Sequence, residues 1–175
     1  AKPHLYAVNH TSAMDIPMLY AHLPFQFRII AKKELFKYPI FGPGIGLMKV
    51  VPIDRKNSQA AVEGAKKATE NLRSGKSYVV YPEGTRSPDG RLLGFKKGAF
   101  LMAADAGVPV VPVTVSGSSA LMPKGKIRLT PGVLQLKIHE PVSTAGYTRE
   151  NVSKLMEQVR TRIRSGLSEE EIALE

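Results

Sequence analysis

A histidine and an aspartate stand five positions apart in Asn9-His10-Thr11-Ser12-Ala13-Met14-Asp15. The two residue types suit proton transfer. An imidazole titrates near neutrality and can take a proton from a hydroxyl. A carboxylate bonded to its other ring nitrogen fixes the tautomer and stabilises the imidazolium that forms. A helix would not bring the pair together, because five residues rotate a helix by about 500° and leave His10 and Asp15 on different faces. A turn can fold the carboxylate back onto the ring. Leu5-Tyr6-Ala7-Val8 reads as a buried strand ending just before His10, which is where open α/β sheets place their ligands. Pro17 disfavours helical geometry at Ile16, so the next helix is expected to begin near Pro17. The same residues also fit a Ser12-x-x-Asp15 variant of the capping box, with His10 a polar loop residue. The chain has no G-x-S-x-G elbow, so a hydroxyl deprotonated by His10 would belong to the substrate.

A second stretch is rich in anion-binding types. Ser77-Tyr78-Val79-Val80-Tyr81 reads as a buried strand that runs into Pro82-Glu83-Gly84-Thr85-Arg86-Ser87. Gly84 permits close backbone approach, Thr85 and Ser87 carry hydroxyls, and Arg86 offers a planar fork that matches two phosphate oxygens. Glu83 could accept a hydrogen bond from a hydroxyl of the same ligand. A surface turn with an exposed arginine would use the same residues. The lysine and spaced glycines of a P-loop are missing.

Composition narrows the classes. The 175 residues, 43% of them apolar, suit a single domain with a sizeable core over 1–175. There is no cysteine, which excludes disulfides, thiolate metal sites and a cysteine nucleophile. His4, His10, His22 and His139 lack ligand spacing, so neither a metal nor another cofactor is expected. No apolar run approaches the roughly 20 residues that span a bilayer. Twenty-five basic against fifteen acidic residues give a net charge of +10, which points to an anionic partner. No nucleic-acid-binding motif accompanies that charge, and its basic residues are dispersed, so nucleic acid is not expected. A non-enzymatic module whose basic charge serves anionic lipid or nucleic acid is the rival class. Near an anionic leaflet each Lys or Arg is worth about 1 kcal/mol, so a few would hold the domain at a membrane surface.

The remaining elements alternate between strand and helix. Strands are expected over Phe25–Ala31, Val50–Ile53, Val108–Val115 and Val133–His139, the third at an edge or irregular because of Pro109 and Pro112. Helices are expected over Pro17–His22 and Ser58–Leu72, then from Phe95-Lys96-Lys97-Gly98 through Phe100, Leu101 and Ala104 to Gly107, and over Glu150–Leu167. Ala61, Val62, Ala65, Ala68, Thr69 and Leu72 form the buried stripe of the second helix, and Val152, Leu155, Met156, Val159, Ile163 and Leu167 that of the last. Gly75 and Gly107 close helices. Phe36, Phe41, Ile45, Leu47 and Met48 suit a core, a tunnel for a fatty chain, or lipid contact. Gly42, Gly44 and Gly46 form a turn and not a dinucleotide fingerprint, whose third glycine is here Leu47. Lys96 and Lys97 read as a solvated pair or as contacts for an anion, Lys124, Lys126 and Arg128 as a lipid-facing or solvated loop, and Glu169-Glu170-Glu171 as a solvated tail.

Four stretches occur together in one order: Asn9-His10-x-x-x-x-Asp15, Ile53-Asp54-Arg55, Glu83-Gly84-Thr85-Arg86 and Val108-Pro109-Val110-Val111-Pro112. In this the chain resembles the phospholipid/glycerol acyltransferases, and most of all their 1-acylglycerol-3-phosphate acyltransferases. The resemblance spans Asn9 to Pro112. It implies an α/β fold of one domain, with a mixed, mostly parallel central sheet flanked by helices. It also implies acylation of 1-acylglycerol 3-phosphate (lysophosphatidate) by an acyl thioester, either acyl-CoA or acyl-carrier protein. Glycerol 3-phosphate or another lysolipid is the alternative acceptor. By the same resemblance His10 is the general base, Asp15 supports it, and Arg55, Glu83, Gly84, Thr85 and Arg86 handle the acceptor. Of Lys32 and Lys33, the resemblance favours Lys32 for the phosphate. It further implies peripheral or monotopic attachment to the cytoplasmic face of a membrane. Tyr81 stands where the family commonly has Phe, and the N-terminal membrane-associated helices of many members are not in this sequence.

Overall fold

Leu5-Tyr6-Ala7-Val8 is buried along its whole length because it is a strand with neighbours on both sides. A computed structural model describes residues 2–23, 26–32, 51–53, 58–126 and 128–172. In chain order these residues form β1 (Leu5–Val8), α1 (Asp15–His22), β2 (Phe27–Lys32), β3 (Val51–Ile53), α2 (Ser58–Arg73) and β4 (Ser77–Val80). Then come α3 (Gly98–Ala106), β5 (Val110–Ser116), α4 (Ser118–Leu121), β6 (Gln135–Ile138), α5 (Val152–Arg164) and a single 3-10 turn (Glu169–Glu171). The sheet order is β3-β2-β4-β1-β5-β6. All neighbouring strands run parallel except β6, which is antiparallel to β5. This is the mixed, mostly parallel sheet that the resemblance implies.

Alternation along the strands divides the core. Leu5, Ala7 and Val110 pack with Leu72 of α2, Phe100 of α3 and Leu155, Val159 and Ile163 of α5. Tyr6, Val8, Val111 and Val113 point to the other face, where Leu19 of α1 and Leu23 pack on them. An eight-residue helix is marginal alone, so the fully buried Leu19 decides the placement of α1. Emptying that position would cost about 2–5 kcal/mol.

Parallel pairing sets the site. Register Leu5↔Tyr78 and Ile29↔Val79 brings the carboxyl ends of β1, β4 and β2 to one edge of the sheet. The residues after β1 and after β4 therefore become neighbours although about seventy positions separate them in sequence.

Four expectations are corrected. Helix α1 starts at Asp15, two residues before Pro17. A proline in the first turn forfeits only an N–H that has no intrahelical acceptor. β5 is an interior strand, not an edge. The Leu5 N–H bonds Pro109 O, so odd-numbered residues of β5 face β1 and Pro112 faces β6. Regular pairing with β6 covers only Val113–Ser116, and Pro112 there needs only its carbonyl, which accepts the His139 N–H at 3.0 Å. Val62 is 70% exposed, so the buried stripe of α2 is narrower than expected: Ala68, Thr69 and Leu72 are buried and Ala65 packs against them. Glu171 is not a solvated tail residue. Its carboxylate accepts the Gly117 N–H at 2.8 Å and the Ser116 hydroxyl at 2.5 Å, which ties the chain end to β5. The stretch from Phe36 to Met48 lies outside the described residues.

Candidate active site

His10 leaves β1 and its ring turns back on Asp15, with Nδ1 2.8 Å from Asp15 Oδ2. The same oxygen accepts the backbone N–H groups of Thr11 and Ser12, each at 3.0 Å. One oxygen of Asp15 thus holds both the turn and the ring. The expected Ser12-x-x-Asp15 capping box does not form: the residue before α1 is Met14, which has no side-chain cap, and the Ser12 hydroxyl accepts the Met14 N–H at 3.2 Å. Asp15 is completely buried, whereas the imidazole keeps 15% of its surface exposed. A fully acceptor-type carboxylate oxygen requires a proton on His10 Nδ1, which leaves Nε2 as the basic nitrogen.

The walls of the turn come from distant parts of the chain. The Asn9 side-chain amide bonds both the N–H and the carbonyl of Val115, each at 2.8 Å, and so extends the β1–β5 ladder by one residue. Thr11 Oγ1 and Ser118 Oγ are 2.6 Å apart, and the Ser12 hydroxyl donates to Met122 O at 2.7 Å. The Tyr81 ring stacks on the imidazole, with centroids 3.8 Å apart and planes 19° from parallel. Burial first, and then the Asp15 charge, push the Tyr81 hydroxyl well above its usual pKa, so it stays neutral.

The turn after β4 is bonded to His10 on both sides. The His10 N–H donates to Glu83 Oε1 at 2.6 Å, and the Ser87 N–H donates to His10 O at 2.8 Å. The other Glu83 oxygen accepts the Leu93 N–H at 2.9 Å. Glu83 is 3% exposed, and burial pushes its carboxyl up to about 7 against the pull of these two donors. Its geometry is that of a brace between the two turns. The Ser87 hydroxyl is also committed, to Asp89 Oδ1 at 2.9 Å.

Thr85 is exposed and Arg86 half-buried, so these two keep side chains toward solvent. Gly84 has φ +77°, and a Cβ there would meet Lys96 Cε and Nζ at 3.0 Å. Lys124 Nζ donates to Arg86 O at 2.7 Å. Among the described residues, Arg86, Lys96 and Lys124 have no carboxylate at ion-pair distance. Lys32 closes β2 beside β4 at the same sheet edge, paired with Ile53, the last residue of β3. Arg55 lies outside the described residues. The structure thus brings His10, Asp15, Glu83, Gly84, Thr85 and Arg86 together. Sequence reasoning gave no part in this site to Asn9, Tyr81, Ser118 or Lys124, although Asn9 stands in the first motif and Tyr81 follows a strand; Lys96 it left as an anion contact or a solvated residue.

Comparison with known proteins bears on the fold and the family. The family profile described as Acyltransferase matches residues 1–116. A chloroplast 1-acyl-sn-glycerol-3-phosphate acyltransferase of Arabidopsis thaliana is 43% identical over 141 residues, 80% of this chain and 39% of that protein. The human 1-acyl-sn-glycerol-3-phosphate acyltransferase alpha is 35% identical over 161 residues, 91% of this chain and 57% of that one. The crystal structure of the 1-acyl-sn-glycerophosphate acyltransferase PlsC from Thermotoga maritima superposes with TM-score 0.80 at 38% identity. It covers 94% of this chain and 65% of its own. The chain spans about half the length of the curated relatives it matches.

Proposed function

This chain belongs to the acyltransferase family, and we propose that it moves an acyl group from an acyl thioester to the free hydroxyl of 1-acylglycerol 3-phosphate, giving phosphatidate. The relatives named for that reaction support the acceptor. The observation that carries the chemistry is the 2.8 Å contact between His10 Nδ1 and Asp15 Oδ2, with the turn that carries Arg86 bonded to the His10 backbone through the Ser87 N–H. Nε2 of His10 takes the hydroxyl proton as the oxygen attacks the thioester carbonyl. The tetrahedral intermediate then expels the thiolate, which recovers that proton from the imidazolium and leaves as thiol. No acyl-enzyme forms. Asp15 stabilises the transient imidazolium, and the stacked Tyr81 ring holds its plane.

Arg86, with Lys32 and Arg55, grips the acceptor phosphate and so sets its hydroxyl near His10. Gly84 and Thr85 shape that pocket, and Glu83 serves it as the brace between the turns. The donor is acyl-CoA or acyl-carrier protein. The domain works at an anionic membrane surface, on its cytoplasmic face. No helix among the described residues is long and apolar enough to cross a membrane.

The test is thiol release from acyl-CoA with lysophosphatidate, glycerol 3-phosphate and lysophosphatidylcholine compared as acceptors. Lysophosphatidate should be turned over fastest. His10→Ala should keep its circular dichroism and lose about 10²–10⁴-fold in kcat, the contribution of a positioned base. Near-normal turnover in that variant would overturn the mechanism.

A further inference from the structure

The segment from Leu121 to Val133 stands apart from the rest of the surface. The Thr130 N–H bonds Leu121 O at 2.8 Å, closing a loop whose base is the buried Leu121. Beyond that base, residues 123–126 and 128–133 are all exposed. They include Lys124, Lys126 and Arg128, and no Asp or Glu occurs between Leu121 and His139. Leu129 is 57% exposed and Val133 73%, two of the few large apolar side chains that the described residues leave in water. One exposed leucine is ordinary. Two on a loop with three cations and no acid make a surface that is both apolar and positive.

The loop is also fixed to the catalytic turn. Its Met122 carbonyl accepts the Ser12 hydroxyl at 2.7 Å, and Lys124 reaches across to Arg86 O. Whatever the loop touches is therefore held beside His10.

We propose that this loop is the surface by which the domain docks on an anionic bilayer, with Lys126 and Arg128 against lipid phosphates and Leu129 and Val133 in the interfacial region. Such an arrangement has a direct use. A lysolipid acceptor could slide from the leaflet to the site with its acyl chain still among lipids. The inference rests on the acyl-transfer reading for its purpose, but not for its measurement.

The test is sedimentation of the protein with vesicles of phosphatidylcholine alone and of phosphatidylcholine mixed with phosphatidylglycerol. The wild type should bind the anionic vesicles. The double variant Lys126→Gln/Arg128→Gln should bind them about thirtyfold more weakly, about 2 kcal/mol at about 1 kcal/mol per cation. Leu129→Ser/Val133→Ser should weaken binding even at high salt, where charge is screened. Both variants should keep the wild-type melting temperature and full thiol release with a short-chain, monomeric lysophosphatidate. Unchanged vesicle binding in both variants overturns the proposal. So does a loss confined to turnover of a donor carried by acyl-carrier protein, which would assign the loop to a protein partner. If the wild type releases no thiol at all, the acyl-transfer reading fails while the vesicle result still judges the loop.

Discussion

In the turn after β1, Asn9, Thr11, Ser12 and Asp15 are each at most 2% exposed, and their side chains bond to Val115, Ser118, Met122 and the turn's own backbone. In the turn after β4, Thr85 is exposed, Arg86 is half-buried, and Lys96 and Lys124 flank them without acidic partners among the described residues. One turn directs its polar atoms inward and holds a single imidazole still. The other leaves its cations without a carboxylate partner among the described residues. A base must not move between proton uptake and release, whereas a site for a charged ligand must keep its charges unmet until the ligand arrives. Glu83 joins the two designs, because it lies in the second turn yet bonds the backbone of the first.

The largest expected effect breaks the inward-facing turn. In Asp15→Asn the amide oxygen can replace Oδ2 and still accept from Thr11, Ser12 and His10, so the fold should survive while the negative charge is lost. Steady-state kinetics should show kcat reduced by about 10²-fold or more with little change in acceptor KM, because the charge matters when the imidazolium forms. A raised KM at constant kcat would assign Asp15 to ligand binding instead.

Arg86→Lys tests the outward-facing turn and should give the reverse pattern. Loss of the bidentate fork should raise the acceptor KM about tenfold, since a hydrogen bond to a charged group is worth about 1.5–3 kcal/mol. An unchanged KM would contradict a phosphate role.

Glu83→Gln gives the smallest effect and probes the bridge between the turns. Burial raises the folded-state pKa of Glu83 from 4.5 to about 7, so between those values the folded chain holds a proton that the unfolded chain releases. The contribution is complete below about pH 4.5 and is lost as pH rises through about 7. Thermal melts should therefore show the wild type losing stability relative to Glu83→Gln across that window and not above it. A difference constant with pH would contradict the burial argument.

The first turn was legible where chemistry is local. His10, Asp15 and the strand before them lie within eleven residues, and Pro17 announces the turn even though the helix starts two residues earlier. The sheet was legible from its apolar runs, as were α2 and α5 from their stripes. What could not be read depends on distant partners. Asn9 meets Val115 and Thr11 meets Ser118 across more than a hundred positions, and no spacing announces either pair. Pro109 and Pro112 suggest an edge or an irregular strand because a proline breaks a ladder. Only the register shows that the missing N–H of Pro112 faces the side where β6 has ended. Glu83 invites a ligand-binding role by its neighbours Thr85 and Arg86, and no spacing announces that its two carboxylate oxygens accept the N–H groups of His10 and Leu93.

The central claim is that Asp15 holds His10 with the proton on Nδ1, so that Nε2 is free to take one from the acceptor. Long-range proton–nitrogen NMR of the His10 ring, in protein labelled at histidine nitrogen and held above neutral pH, reads this directly. The account predicts a pyrrole-like, protonated Nδ1 and a pyridine-like Nε2. A ring with its proton on Nε2, or an even mixture of the two tautomers, would contradict it.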